Sequence, residues 1–262
     1  MKKMLFFILL GNSTLLFSQE TNKRLTLSVA PAFPLGKWAE KEQPIESAGY
    51  ASSGQSFHLR YTNDFSANWG WFAMLKGQRN QLNADKLSDY HNNNPFPVGG
   101  LVVGPGPGPG PLPPAEVDIE NWSFKKKNWM TATAMGGFYR IIPAGKRSVF
   151  LPELGLGLIY AKLPDFLGTA QDGNRRASLT RKGKHGVGLA YSVGLNARHH
   201  LNAKYDIFSS LAYFGSSAVK FNKVSTTRFY TDGTTVAQTV RTIDHQQVFA
   251  SLNLYIGVGI KL

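Results

Sequence analysis

The chain of 262 residues has no cysteine, so disulfides, thiolate metal sites and a lipidated cysteine behind an export signal are all excluded. Long apolar runs are missing as well. Beyond the first eighteen residues none exceeds about ten positions, half of what a membrane-crossing helix requires. Acidic residues are scarce, 16 against 29 Lys and Arg, for a net charge of +13. No Walker motif or dinucleotide fingerprint occurs, because the glycines between 104 and 110 have no strand-to-helix context.

What is present is alternation. From Val248 to Leu262 every even position is apolar, while the odd positions read Phe249, Ser251, Asn253, Tyr255, Gly257, Gly259 and Lys261. A period of two with two unlike faces is a strand. Fifteen residues are too many for an ordinary soluble strand and suit a tilted strand crossing a bilayer. An apolar last residue makes it an integral closing element. The other end agrees: Met1-Lys2-Lys3 precedes the apolar run Leu5 to Leu10, the pattern of a secretory signal peptide over 1–18. The mean hydropathy of -0.20 fits a barrel in which only every second residue meets lipid.

The same parity test finds seven more segments: 24–34, 55–65, 69–78, 128–142, 150–161, 186–198 and 205–221. In the first, Leu25, Leu27, Val29, Pro31 and Phe33 face outward. In the fourth, Trp129 is placed outward and Phe138 and Arg140 inward; in the seventh, Val219 shares a face with Ile207, Leu211 and Tyr213. Gaps after the second, fourth and sixth segments are short. Those after the first, third, fifth and seventh are long, at about 35–54, 81–127, 164–185 and 222–246. Short turns on one side and long loops on the other describe an all-β, eight-stranded antiparallel up-and-down transmembrane β-barrel, its signal peptide removed and residues 19–262 forming one domain. A soluble, lipocalin-like barrel also has eight strands, but it would need a polar outer face and a larger apolar cavity.

These features make the chain resemble the small eight-stranded outer-membrane β-barrels, such as the membrane domain of outer-membrane protein A. The resemblance spans the mature chain. Its most specific part is Ser251 to Leu262, which looks like the sorting signal such barrels present to the outer-membrane assembly machinery, although many members end in Phe or Trp and this chain ends in Leu262. The resemblance implies residence in the cell outer membrane.

A barrel this narrow is filled by side chains. The inward list holds His58, Arg60, Asp64, Lys76, Arg140, Glu153, Arg198, Asp206 and Lys261, so an internal network is expected in which the three acids neutralise several of the cations. An ion path through it competes with plain structural neutralisation. Phe65, Trp69, Trp71, Trp129, Tyr160 and Tyr205 read as interfacial girdles.

The loops carry the remaining signals. Residues 104–114 alternate Gly and Pro before ending Leu-Pro-Pro, an extended stalk or a disordered surface segment but not collagen, whose glycine recurs every third residue. Lys125, Lys126 and Lys127, with Arg175, Arg176, Arg181, Lys182 and Lys184, are candidates for binding anionic lipid or polysaccharide, lipopolysaccharide phosphates included. His199 and His200 are adjacent on an extended chain and point opposite ways, so no metal site is assigned; no cofactor is expected either. Some small barrels are lipid A deacylases or palmitoyltransferases, and the deacylases share a His-x-Ser pair. None of the six histidines here has Ser two positions later. The expected function is therefore a non-enzymatic outer-membrane barrel anchoring basic surface loops, for envelope integrity, surface interaction or as a subunit of a larger complex. The alternatives are a lipid A-modifying enzyme and a narrow, porin-like channel. Expected partners are outer-membrane lipids, the assembly machinery and a possible protein partner, with no nucleic acid.

Overall fold

A computed structural model describes residues 22–42, 49–97, 116–125, 127–234 and 236–262. The signal peptide and the Gly-Pro run at 104–114 lie outside these residues. Eight long strands dominate: β1 (Asn22–Pro34), β2 (Ala51–Asp64), β3 (Trp69–Leu82), β4 (Asn128–Arg140), β5 (Ser148–Lys162), β6 (His185–His200), β7 (Tyr205–Thr231) and β8 (Val236–Lys261). Each pairs antiparallel with its neighbours in sequence, and β1 pairs with β8 from Arg24↔Lys261 to Pro34↔Ser251. The ring is closed, leaving no unpaired edge through its wall, as a hydrocarbon surrounding demands.

Alternation decides which face each residue takes. Leu27, Leu75, Leu154, Leu156, Leu189 and Ile256 are each at least 60% exposed, while Arg60, Lys76, Ser251 and Asn253 are at most 4% exposed. An apolar exterior around a polar interior is the reverse of a soluble barrel and excludes the lipocalin-like alternative. Along β3 the outward positions run from Trp69 to Arg79. Those ten steps span about 26 Å of membrane normal for a strand tilted near 40°, the height of a lipid-facing band.

Three expectations are corrected. The faces of β4 are inverted: Trp129 and Tyr139 are buried, and Phe138 and Arg140 are exposed. Both faces of this strand carry large apolar residues, so hydrophobicity alone does not choose between them. The polar atoms of the aromatics do, since Trp129 Nε1 donates to the Gly49 carbonyl at 2.8 Å and Tyr139 Oη to Asp64 at 2.5 Å, both inside. Val219 is fully buried because the β7–β8 register shifts between Gly215 and Ala218, two residues opposing one, which reverses the parity beyond that point. The supposed loop at 222–246 is mostly strand for the same reason. A second shift, between Phe221 and Val224, carries β7 and β8 onward as a hairpin above the barrel.

The long loops are folded as well. Trp38, on a short 3-10 turn (Gly36–Trp38), meets Phe249 edge-on at 5.0 Å, and Trp129 meets Phe249 at 5.6 Å, closing the loop-side mouth with aromatic rings. Above this plug a second core joins helix α1 (Ala84–Asn92), the hairpin Phe166–Asp172 and Arg175–Arg181, and the extended β7 and β8; Leu87, Phe96, Trp122, Phe124, Phe166 and Tyr230 are buried in it. The hairpin adds to the sheet edge by pairing Arg176–Arg181 with residues 226–231 of β7, and Ser123–Phe124 pairs with its far side.

Inside the barrel, glycine makes room for Phe72. A Cβ at Gly155 would lie 2.8 Å from Ser192 Oγ and 2.9 Å from Phe72 Cζ. Gly155→Val is expected to overpack this level and cost about 1–3 kcal/mol, read as a lower urea midpoint for loss of the folded band on unboiled gels; an unchanged midpoint would show that the Phe72 ring moves freely.

Candidate functional site

Two layers of charge occupy the interior. In the layer nearer the short turns, Arg24 donates through Nη1 to Asp64 at 2.6 Å and through Nε to Asp206 at 2.9 Å. Arg198 donates to the same Asp64 oxygen at 3.1 Å, and His200 Nδ1 lies 2.5 Å from Asp206. Asp64 thus serves two guanidiniums and a phenol. The charged residues come from strand ends that meet only when the ring closes, β1 and β2 at one side and β6 and β7 at the other, and the phenol is Tyr139 near the end of β4.

Nearer mid-barrel, Arg60 pairs with Glu153. Its guanidinium also lies 4.4 Å from the Phe72 ring centre, and Lys76 Nζ is 4.0 Å from that of Phe214. Both cations rest on aromatic faces, and Arg60 on the carboxylate as well. His58 packs against Tyr255 at 4.3 Å. The remaining space among His58, Lys76, Glu153 and Tyr255 is about 10 Å³, at most one water molecule.

Of the residues assigned to the interior network from sequence, Arg60, Asp64, Lys76, Glu153, Arg198 and Asp206 are buried inside. Arg140 and Lys261 are not. Arg140 follows the inverted face of β4, and Lys261 lies exposed at the strand end, where alternation no longer confines a side chain. Sequence reasoning passed over Arg24, Tyr139 and His200. The parity that puts Thr26 and Ser28 inside also puts Arg24 there; Tyr139 had no such signal. His199 and His200 take separate partners, His199 Nδ1 lying 2.9 Å from Ser148 Oγ.

The basic loop residues divide by position. Arg175 and Arg176 are exposed at the tip of the loop hairpin, and Lys125, Lys127, Lys182 and Lys184 are exposed near its base. Lys125 is brought there by its amide, which donates to the Leu167 carbonyl at 3.0 Å. Lys126 falls outside the described residues. Arg181 corrects the expectation of a surface ligand: it is 3% exposed, its guanidinium 4.5 Å from the Phe166 ring centre, so it belongs to the cap core. Of the expected girdle aromatics Trp69, Tyr160 and Tyr205 are exposed, whereas Trp129 plugs the mouth.

No family model matches the chain, and no characterised protein sequence does. Among solved structures it is similar to the attachment invasion locus protein of Yersinia pestis, at 11% identity over 93% of this chain and 100% of that one, with a TM-score of 0.43. The outer membrane protein OprG from Pseudomonas aeruginosa gives 13% identity over 92% and 96%, with a TM-score of 0.39. The outer membrane protease OmpT from Escherichia coli gives 7% over 92% and 96%, with 0.43. These values are too low to carry an argument about the present molecule, whose own geometry carries it instead. With a closed ring of eight antiparallel strands, an apolar belt of bilayer height and a charged, filled interior, the chain is a small transmembrane β-barrel of the outer-membrane type.

Proposed function

We propose that this protein is a non-enzymatic outer-membrane anchor that holds a folded, basic cap at the cell surface, where the cap engages an anionic lipid headgroup or polysaccharide for envelope integrity or surface interaction. The observation that carries the reading is the combination of a lumen with about 10 Å³ left in mid-barrel and a cap with its own aromatic core. A molecule built this way keeps its wall shut and spends its sequence on the outer surface. Arg175, Arg176, Lys182 and Lys184 supply the charge, and phosphate or sulfate groups are what guanidinium and ammonium groups bind best from water.

The enzyme alternative gains little support. His58 is 2% exposed between aromatic rings, out of reach of a substrate. His185 is accessible, but the partner of its Nδ1 is the Tyr160 hydroxyl at 2.6 Å, with no orienting carboxylate on it among the described residues.

The test is retention on an anionic polysaccharide resin as salt rises. Wild type should elute late, and the fourfold variant Arg175→Ala, Arg176→Ala, Lys182→Ala, Lys184→Ala should lose about tenfold or more in affinity, since each exposed charge contributes up to about 1 kcal/mol at low salt. Salt-independent retention, or none in wild type, would overturn the cap as an anion-binding surface. Steady conductance in planar bilayers would instead favour the channel.

A further inference from the structure

The charges inside the barrel do not balance. Arg24, Arg60 and Arg198 each reach a carboxylate among Asp64, Glu153 and Asp206, whereas Lys76 reaches none among the described residues. Lys76 is 4% exposed, and its Nζ rests against the Phe214 ring without a hydrogen-bond partner. The buried interior of the barrel therefore holds one cation more than it has acids. A desolvated ammonium without a counter-charge is costly, and an aromatic face offsets only part of that cost.

Strand register builds the mid-barrel cavity around this ammonium. On one side of the lumen β2 and β3 set His58 opposite Lys76; on the other, β6 and β7 set Ser192 opposite Phe214, and β7 and β8 set Ala212 opposite Asn253. These six residues line the cavity, with Glu153 as its one carboxylate. Glu153 Oε2 is already held by Arg60. The lining atoms left without a hydrogen-bond partner include Lys76 Nζ, both ring nitrogens of His58, Ser192 Oγ and Asn253 Oδ1. The Asn253 amide nitrogen is spent on Ser251 Oγ at 3.1 Å. Lys76 alone offers three N–H donors, and His58 and Ser192 each add at least one, so the cavity presents more donors than acceptors.

We propose that this cavity holds a single halide ion, chloride from the surrounding medium, as the counter-ion of Lys76. The occupant has to accept hydrogen bonds and carry negative charge. A water molecule accepts, but it brings two hydrogens that need acceptors of their own and leaves the ammonium uncompensated. Phosphate, sulfate and carboxylate anions exceed a space of about 10 Å³, whereas a monatomic anion is not much larger than the one water molecule such a space admits. The lining suits a weakly hydrated ion as well, since Met74, Ala212 and Phe214 give it apolar neighbours among the donors. Trp38, Trp129 and Phe249 close the mouth, and the arginines around Asp64 occupy the other end. The ion is therefore taken up as the ring closes and stays as part of the fold. The site lies outside the cap and is independent of the surface role proposed for it.

Equilibrium refolding from urea into lipid vesicles, in sodium chloride, bromide or gluconate at one ionic strength, tests the proposal. The wild-type midpoint should be higher in chloride and bromide than in gluconate, and each tenfold rise in halide beyond half-saturation should multiply the folding constant by about ten. Lys76→Met fills the same position without charge, so its midpoint should be the same in all three salts and no lower than that of wild type in gluconate. Equal wild-type midpoints in the three salts would mean that Lys76 is neutral or merely hydrated, and would overturn the site. A halide dependence of equal size in Lys76→Met would overturn it too, by placing the effect elsewhere. Crystals of wild type grown in bromide give a reading that needs no variant: one anomalous peak in contact with Lys76 Nζ is expected, and density there without anomalous signal identifies a water and refutes the halide. A heat-modifiable gel band, shared by wild type and variant, certifies the closed barrel separately from either result.

Discussion

Asp64→Ala should be the most damaging single change in the molecule. The substitution strands Arg24 and Arg198 and removes the acceptor of the Tyr139 hydroxyl, all within a layer of the barrel that is less than a tenth exposed. Breaking a buried ion pair from one side costs about 3–5 kcal/mol, chiefly because the surviving charge is left desolvated. Here two guanidiniums are left short at once, and only Arg24 retains a second acid, Asp206. The expected result is a large drop in the urea midpoint for unfolding from lipid vesicles. Asp64→Asn should fall between the two, since an amide oxygen still accepts from Tyr139 but carries no charge. A midpoint within experimental error of wild type for Asp64→Ala would mean that water enters the short-turn end and solvates the arginines.

The Arg60–Glu153 pair predicts a sharper pattern. Glu153→Leu alone should cost about 3–5 kcal/mol, leaving Arg60 buried with only aromatic faces for company. Replacing both, Arg60→Leu with Glu153→Leu, should return most of that loss, because two well-packed apolar groups carry no desolvation penalty. The double variant should therefore be more stable than Glu153→Leu, and the coupling energy read from the cycle should exceed about 1 kcal/mol. Additive losses would show that the pair contributes through packing of the guanidinium on Phe72, independently of its carboxylate. The same double variant opens a question of permeability that planar bilayers answer: a lumen held shut by packing stays silent, and one held shut by this pair alone conducts.

Much of this architecture was legible because a barrel in lipid obeys a strict rule of two. Leu25 to Phe33, Val187 to Ala197 and Val248 to Ile260 alternate so cleanly that only one assignment of faces buries their polar neighbours, and the spacing of turns then orders the strands. Where the rule was ambiguous the reading failed. In β4 both faces are apolar, and what places Trp129 and Tyr139 inside is the Gly49 carbonyl and the Asp64 carboxylate, contributed by other parts of the chain. In β7 Ser216 and Ser217 together face Phe249 alone, one extra residue that shifts the count; a period-two search loses such a strand at its first bulge and takes the remainder for a loop. Arg181 looked like surface charge beside Lys182, yet the hairpin turns it onto Phe166.

The sequence by itself determined that this chain is a membrane barrel, how many strands it has and which end bears the loops, because alternation and turn spacing are local properties written along each strand. Only the tertiary structure decided which charges meet and that the loops build a cored cap. Those outcomes depend on register between strands far apart in the chain, and register is settled by cross-strand packing and closure of the ring, which no single segment encodes.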